Sequence, residues 1–246
     1  MQNEIKELIN KFEEIKKAGF HKSVRKGKYG IGDTFESLLG KEFDKNYFPD
    51  YKGIEIKTKF GYTKTPLGLF CLTPSSNYPY TIKYLVDNYG YPESSFSKFN
   101  ILKAEATCNN DSLVAKKYYF DLMVDRDDKR VILLIKDKNK QVISRDIYWP
   151  FDELENRLKT KLNYLALIIG YPYLYKQDYY FKFFKMTIYK LKDFNDFLQL
   201  IEEGRIKIVF NIGIYKEKTN YGLIKDRGTA FKLETTDIYR LFDKIN

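Results

Sequence analysis

Three apolar runs follow one another between residues 118 and 149, and only short polar sequences separate them. The runs are "YYFDLMV", "RVILLIK" and "QVISRDIYW", and the sequences between them are "DRDD" and "DKNK". Runs rich in β-branched and aromatic residues that are bounded by turn-forming residues are typical of neighbouring strands. This stretch therefore predicts an antiparallel β-meander.

Helix and strand patterns alternate through the rest of the chain. Apolar residues at helical spacing predict four helices. Their apolar stripes are Ile5, Leu8, Ile9, Phe12 and Ile15 in the first helix; Phe35, Leu38, Leu39 and Phe43 in the second; Phe151, Leu154, Leu158 and Leu162 in the third; and Phe194, Phe197, Leu198 and Ile201 in the fourth. The fourth helix is predicted to end at Gly204. Further strands are predicted at "GIEIKTKF", "LGLFCL", "YLALII", "RIKIVFNIGIY" and "TAFKL". Residues from about 74 to 100 are rich in Pro, Ser, Asn and Gly, which indicates irregular structure and long surface loops.

These elements favour an α/β or α+β fold in a single domain, residues 1–246, with two lobes. The first lobe takes in about residues 1–110 and part of the centre, and the second about residues 145–246. The sequence contains no internal repeat and no low-complexity tract.

Composition narrows the class of partner. The 246 residues include 43 Lys and Arg against 33 Asp and Glu, a formal net charge of +10. A basic surface favours a polyanion such as DNA or RNA, although an AT-rich genome would also produce a chain rich in Lys and Tyr. With only Cys71, Cys108 and His21 available, the sequence implies no disulfide framework and does not favour a zinc site of the usual His/Cys type. No signal peptide or membrane span is predicted, so we expect a soluble, cytoplasmic protein.

One predicted strand carries an unusual set of charges. In "FPDYKGIEIKTKF", residues 48–60, side-chain alternation places Ile54, Ile56 and Thr58 on one side and Glu55 and Lys57 on the other. Asp50 lies just before the strand. Two carboxylates that converge repel each other unless a positive group lies between them, and a hard divalent cation with oxygen ligands meets that need. Mixed charge on the exposed face of an edge strand is the alternative interpretation.

The wider stretch "GKYGIGDTFESLLGKEFDKNYFPDYKGIEIKTK", residues 27–59, resembles the catalytic region of the MvaI/BcnI-like restriction endonucleases, and it is similar to the MutH-like branch of the PD-(D/E)xK nucleases. The resemblance lies in a glycine-punctuated helix start ("GIGDTFE"), then "PD", then "GIEIK". It continues through "LFCLTP", "YWPFDELENRL" and "DRGTAF", and so covers most of the chain, with weak matching between about residues 75 and 145.

The resemblance implies a mixed central sheet flanked by helices, with two lobes around a DNA cleft. It implies Mg²⁺-dependent hydrolysis of double-stranded DNA, with Mn²⁺ able to substitute. Asp50, Glu55 and Ile56 would bind the metal, Lys57 would be the catalytic lysine, and Glu36 would help to organise the site. The spacing of Asp33 and Glu36 also matches a capping box, so Glu36 could serve the start of its helix and Asp33 could be its cap.

Candidate DNA-binding residues fall into two groups. Lys28 lies in the basic loop "RKGKYG", and Lys59 and Lys64 follow the charged strand, where they could contact phosphates. The resemblance implies base recognition by a carboxy-terminal loop that matches "KDRG". In that region we predict contacts from Asn211, Tyr215, Lys216, Lys225, Asp226 and Arg227, because a guanidinium suits guanine and a carboxylate suits the cytosine amino group. Asp226 and Arg227 could instead pair with each other around Gly228.

The leading hypothesis is a type II restriction endonuclease that acts as a monomer at a short G/C-containing site. Its genetic partner would be a cognate DNA methyltransferase. A mismatch-repair nickase of the MutH type and a DNA-binding module without catalytic activity are the alternatives.

Overall fold

The computed structural model describes residues 1–41, 48–94 and 96–246. Within them the α-helices are α1 (Gln2–Ala18), α2 (Ile31–Leu38), α3 (Thr81–Tyr89), α4 (Phe151–Leu162), α5 (Phe194–Glu202) and α6 (Ile238–Leu241). The strands are β1 (Phe20–Lys22), β2 (Glu55–Phe60), β3 (Leu67–Cys71), β4 (Ser75–Ser76), β5 (Tyr91–Glu93), β6 (Phe96–Ala106), β7 (Ser112–Val114), β8 (Tyr118–Asp125), β9 (Arg130–Lys136), β10 (Val142–Pro150), β11 (Tyr164–Tyr175), β12 (Asp178–Leu191), β13 (Ile206–Ile214), β14 (Ile224–Asp226), β15 (Ala230–Leu233) and β16 (Phe242–Lys244). This mixture of helices and sheets confirms the predicted α+β class.

The chain divides into two compact units. Unit 1 consists of Met1–Thr65, Leu158–Lys192 and Phe242–Asn246, and unit 2 of Pro66–Arg157 and Asp193–Leu241. Both units are therefore assembled from segments that lie far apart in the sequence.

Unit 1 is built on a mixed sheet in the order β1-β12-β11-β2, with β16 beside β12. Strands β2 and β11 are parallel, and the other pairs are antiparallel. The apolar stripes of α1 and α2 pack on one face of this sheet, where Leu8, Phe12 and Phe35 meet Ile56 and Ile168. The predicted stripe of the first helix is confirmed in full, because helical spacing brings its apolar residues onto the sheet.

Unit 2 contains two sheets. The predicted meander is confirmed as the neighbouring strands β8, β9 and β10, in a sheet with the order β4-β10-β9-β8-β7. The second sheet has the order β3-β15-β13-β6-β5, with β14 paired to β13. Trp149 is fully buried in this unit, and its indole N–H donates to the Leu72 carbonyl oxygen at 3.0 Å.

The prediction of irregular structure from about residue 74 to 100 is wrong. Strands β4 and β5 and helix α3 lie there, and strand β6 begins there. Helix α3 buries Leu85, Val86 and Tyr89. The sequence "TIKYLVDNY" does carry apolar residues at helical spacing, but the turn-forming residues on either side of it led to the prediction of loops.

Helix α2 also departs from its prediction. It ends at Leu38, which is exposed, whereas Phe35 and Leu39 are buried. Phe43, the last residue of the predicted stripe, lies outside the described residues. Among the residues that are described, no helix is long and apolar enough to span a membrane.

Candidate active site

A tight turn places Asp50 against the start of β2. Tyr51 and Ile54 form an isolated antiparallel bridge around Lys52 and Gly53, whose φ angles are 44° and 86°. Two consecutive residues with positive φ are typical of a type I′ turn, and glycine adopts such angles without steric cost. The chain reverses here, and Asp50 Oδ2 accepts a hydrogen bond from the Ile56 N–H at 3.0 Å.

Three lysines contact Asp50 and Glu55 in unit 1. Lys57 Nζ donates to Glu55 Oε1 at 2.6 Å, and Lys41 Nζ donates to Asp50 Oδ1 at 2.5 Å. Lys161, on α4, lies between the two acids, with Nζ 2.7 Å from Glu55 Oε2 and 3.9 Å from Asp50 Oδ1. Glu36 Oε2 is 3.7 Å from Lys41 Nζ. We call Asp50, Glu55, Lys41, Lys57 and Lys161 the acid–lysine cluster.

Burial makes this cluster unlike a solvated strand face. Only 1% of Glu55 is exposed, although β2 lies at the end of its sheet. An ionised carboxylate is costly to bury unless it is paired, so the lysines are needed to keep two acids in this place. The alternative interpretation, an exposed face of mixed charge, is therefore wrong for Glu55.

The two acids respond to this environment in opposite directions. Burial raises the pKa of Glu55, and the nearby Asp50 carboxylate adds to the increase, against the opposing effect of Lys57 and Lys161. Burial also acts on Asp50, but hydrogen bonds from Lys41 and the Ile56 N–H outweigh it and lower the pKa of that acid. The site therefore stabilises the ionised form of Asp50 more than the ionised form of Glu55.

Glu36 belongs to the surroundings of the cluster and not to a helix cap. Helix α2 has Gly30 as its N-cap without a side-chain cap, and Thr34 Oγ1 donates to the Gly30 carbonyl oxygen at 2.7 Å. Asp33 is paired with Arg25 at 2.6 Å. The predictions of a capping box and of Asp33 as the cap are therefore wrong. Burial and the charge of Asp50 raise the pKa of Glu36.

Sequence reasoning missed Lys41 and Lys161. Lys41 follows α2 directly, within the stretch that carries the family resemblance, so proximity to the motif was a usable signal. Lys161 lies on α4, far along the chain from β2, and its Nζ also donates to the Phe48 carbonyl oxygen at 2.8 Å. Nothing in the spacing of residues on α4 indicated that partnership.

The donor set suits a hard divalent cation. Glu55 Oε2 is buried and, among the described residues, accepts no hydrogen bond, although the Lys161 ammonium lies close to it. Carboxylate oxygens are the ligands that Mg²⁺ takes, usually one or two per ion with water completing the shell. No group of three or more His, Cys, Asp and Glu side chains with metal-ligand spacing occurs within residues 1–41, 48–94 and 96–246.

The candidate phosphate contacts of unit 1 differ in exposure. Lys28 is exposed, and its ammonium lies 5.4 Å from the centre of the Tyr29 ring. Lys64 is exposed as well. Lys59, in contrast, is only 9% exposed and its Nζ donates to the Thr65 carbonyl oxygen at 2.6 Å, so it holds the chain after β2 in place. A phosphate contact by Lys59 stays a prediction that requires this side chain to move.

The candidate base-reading residues lie together in unit 2. Asn211 is exposed on β13, and the Arg227 backbone N–H donates to its carbonyl oxygen at 3.2 Å. Both residues line a concave surface of about 550 Å³, to which Lys103 and Lys232 also contribute. Lys103 stands opposite Asn211 across the β6–β13 pair, so the two share a sheet face. Lys103 and Lys232 were missed because cross-strand register is not visible in the sequence.

The turn before Gly228 is held by Asp226. Asp226 Oδ1 accepts from the Gly228 N–H at 2.8 Å, and in the part of the chain that the structure describes Asp226 forms no ion pair with Arg227. The alternative in which these two residues pair is therefore wrong. Lys225 lies 4.6 Å from the centre of the Tyr215 ring, and Lys216 is 3.4 Å from Glu93.

Comparisons with known proteins found a matching family model and similar solved structures. The family model described as "MvaI/BcnI restriction endonuclease family" matches residues 9–242. A solved structure titled "Restriction endonuclease MvaI-cognate DNA substrate complex" is similar to the chain with a TM-score of 0.90 and 30% sequence identity, over 100% of this chain and 98% of that one. A structure titled "Restriction endonuclease MvaI in the absence of DNA" has a TM-score of 0.64 and 29% identity over the same shares. No curated protein sequence matches the chain.

Proposed function

Since the chain belongs to the MvaI/BcnI restriction endonuclease family and is a site-specific deoxyribonuclease, we propose that it is a type II enzyme that hydrolyses phosphodiester bonds of double-stranded DNA with Mg²⁺. The observation that supports this most directly is the acid–lysine cluster. A turn in the chain brings Asp50 close to Glu55 and Lys57 on β2, and Lys57 Nζ lies 2.6 Å from Glu55 Oε1.

Asp50 and Glu55 would bind the metal. The Ile56 side chain lies in the core, so this residue can offer only its backbone carbonyl oxygen as a ligand. Bound at this place, Mg²⁺ supplies a Lewis acid that lowers the pKa of a coordinated water and stabilises charge on the phosphate oxygens.

The lysines of the cluster have separate roles in this proposal. Lys57 is the most exposed of them and is the group that can reach a phosphate or hold the attacking water while still paired with Glu55. Lys41 holds Asp50 ionised through its hydrogen bond. Lys161 neutralises both acids when no metal is bound. Through its hydrogen bond to the Phe48 carbonyl oxygen, it also holds the backbone that leads to Asp50.

Recognition of the DNA sequence is assigned to unit 2. Arg227 and Asn211 line one concave surface there, and both side chains are exposed. A guanidinium can donate two hydrogen bonds to guanine, and an amide can pair with adenine. We assign catalysis to unit 1 and base reading to unit 2, and we expect the enzyme to act as a monomer, with a DNA methyltransferase encoded beside it.

Digestion of unmethylated plasmid DNA with Mg²⁺ tests the proposal. Discrete fragments whose sequenced ends share one short motif are expected, and a chelator should stop the reaction until Mg²⁺ or Mn²⁺ is restored. Accumulation of nicked circles alone would indicate a nickase of the mismatch-repair type. Binding without cleavage in either metal would contradict the proposal.

A further inference from the structure

The far half of the unit 1 sheet carries exposed aromatic side chains on the same face as Glu55. Glu55 is paired in parallel register with Leu165 on β11, so these two residues share a face. Alternation along β11 then places Tyr171, Tyr173 and Tyr175 on that face as well. The other face of the sheet is covered by α1 and α2.

The neighbouring strands extend this aromatic surface. Tyr180 and Lys182 on β12 stand opposite Tyr173 and Tyr171, and Phe20 on β1 stands opposite Lys182. The Phe20 and Tyr173 rings meet edge to face, with their centres 4.6 Å apart, and the Lys182 ammonium lies 5.6 Å from the centre of the Phe20 ring. We call Phe20, Tyr171, Tyr173, Tyr175, Tyr180 and Lys182 the hairpin face.

The hairpin face is open to solvent. Phe20 is 55%, Tyr173 41% and Tyr175 60% exposed, and together with Leu174 and Tyr180 they border a groove of about 450 Å³. Large side chains in a contiguous exposed patch usually mark an interaction surface. Burial in the core of unit 1 does not explain these residues, because they lie on the face away from α1 and α2.

The charge around the groove is positive. Lys182 lies beside the groove, with its ammonium over the Phe20 ring that borders it. Lys176 at the β11–β12 turn lies 5.3 Å from the centre of the Tyr175 ring, and Lys22 is paired with Asp178 at 2.5 Å. Three lysines and one aspartate therefore surround the groove, which leaves a net positive charge. Lysines that contact phosphates, interleaved with aromatic rings that contact sugars and base edges, are the side chains with which proteins bind nucleic acid.

Distance along the sheet indicates which part of the DNA would reach this surface. Tyr175 lies ten positions beyond Leu165, the residue that pairs with Glu55. At about 3.3 Å per residue in a strand, the tip of the hairpin is ~33 Å from the start of the strand pair. For a duplex that runs along these strands, at 3.4 Å per base pair, that length corresponds to about ten base pairs.

From these observations we propose that the hairpin face binds the double-stranded DNA that flanks the cleaved site, about ten base pairs from the scissile bond on one side. This inference rests on the proposed function, since it takes the substrate to be duplex DNA. It adds a second contact surface, outside the recognition residues, which increases affinity for long DNA without reading its sequence.

The test measures affinity as a function of flank length. The cut sequence, read from the ends of plasmid fragments, is placed in duplexes that carry 4, 8, 12 or 16 base pairs on either side, and binding is measured in Ca²⁺. The wild-type chain should bind about tenfold more tightly once one particular flank exceeds about ten base pairs. Lys176→Ser with Lys182→Ser, and separately Tyr173→Ser with Tyr175→Ser, should remove this gain while binding to the shortest duplex stays unchanged.

The matched control is Lys138→Ser with Lys140→Ser, which removes two lysines from the turn of another exposed hairpin. It should keep the full gain. Variants of the hairpin face that retain the wild-type dependence on flank length would overturn the inference. So would a change from dimer to monomer in sedimentation with the flank dependence intact, because the face would then join two copies of the chain.

Failure of the inference and failure of the proposed function give different results. If the chain does not cleave plasmid DNA, no cut sequence is obtained and the proposed function itself is contradicted. If it cleaves and the flank length has no effect on affinity, the proposed function stands and only the hairpin face loses its assignment.

Discussion

Two regions of the molecule are built in different ways. One is the acid–lysine cluster in unit 1, and the other is the concave surface in unit 2 that Asn211 and Arg227 line, which we call the reading surface because we propose that it reads bases. In the cluster, Glu55 is buried and Asp50 is partly buried, and several ammonium groups and a backbone N–H fix their positions. On the reading surface, Arg227 and Asn211 are exposed, and a backbone hydrogen bond and the Asp226 side chain hold the turn in shape. Chemistry at a phosphate needs groups held in place before the substrate arrives, whereas base recognition needs donors free to meet it.

Removal of one group from the cluster should have the largest effect. We expect Asp50→Ala and Lys57→Ala each to lower the cleavage rate by about 10²–10³-fold or more, because each contributes charge at the reacting phosphate. Affinity for duplex DNA should change little, since neither residue is placed on the reading surface. Cleavage at the wild-type rate by either variant, measured in single turnovers, would show that the site has been assigned to the wrong residues.

Removal of the guanidinium from the reading surface should have a smaller effect of a different kind. We expect Arg227→Ala to reduce discrimination at one base pair of the site by about 1–3 kcal/mol, with the rate on the remaining sequences largely kept. Cleavage of a set of duplexes with single base-pair changes measures this. Arg126→Ala is the control, because Arg126 is in the same unit and pairs with Glu202 at 2.7 Å. Uniform weakening across all duplexes would instead indicate a phosphate contact.

Replacement of Lys161 tests whether this lysine neutralises the acids when no metal is bound. Lys161→Met leaves a buried carboxylate without one of its cations, so the metal-free protein should lose about 1–3 kcal/mol of stability in urea unfolding. Metal should then bind about tenfold more tightly, because the ammonium no longer competes for the same oxygens. Calorimetric titration with Ca²⁺ measures this, with the exposed Lys159→Met on the same helix as control. Unchanged stability and unchanged affinity would mean that Lys161 does not neutralise the acids.

The smallest effect is in the pH dependence of stability. The raised pKa of Glu55 means that the folded protein binds this proton more tightly than the unfolded chain. As the pH rises above the ordinary value of 4.5, the unfolded chain loses its proton first, so the free energy of unfolding falls, by at most about 1.4 kcal/mol per pH unit.

The fall should be smaller in Glu55→Gln when both proteins are unfolded in urea with a chelator present, because only the part due to the raised pKa of Glu36 then remains. Asp50 acts in the opposite direction, because its lowered pKa stabilises the fold above 3.8 and that stability is lost as the pH falls. Parallel stability profiles for the wild type and Glu55→Gln between pH 4.5 and 7 would contradict the assigned environment of Glu55.

The two regions also differ in how far the sequence could predict them. Asp50, Glu55 and Lys57 lie within one short stretch, so strand alternation and a single turn suffice to bring them together. The type I′ turn at Gly53 was not recognised, although it explains why Asp50 reaches the Ile56 N–H. Lys161 and Lys103 reach their sites through helix packing and cross-strand register, which depend on the whole fold.

The local sequence pattern predicted the wrong start for α2, because a tertiary contact determines where this helix begins. The spacing of Asp33 and Glu36 matches a capping box, yet the helix starts earlier, at Gly30. A Cβ at Gly30 would lie 2.5 Å from Ser23 Oγ, and Thr34 Oγ1 accepts from the Val24 N–H at 3.2 Å. The neighbouring loop thus fixes the start of α2, and Asp33 is left to pair with Arg25.

A crystal structure of the protein with Mn²⁺, located by its anomalous scattering, tests the central claim most directly. The account predicts one strong peak within about 2.2 Å of carboxylate oxygens of both Asp50 and Glu55, with the Lys161 ammonium moved away from Glu55 Oε2. A peak bound to other residues, or an empty site at millimolar Mn²⁺ with the three lysines still in contact with the acids, would contradict it.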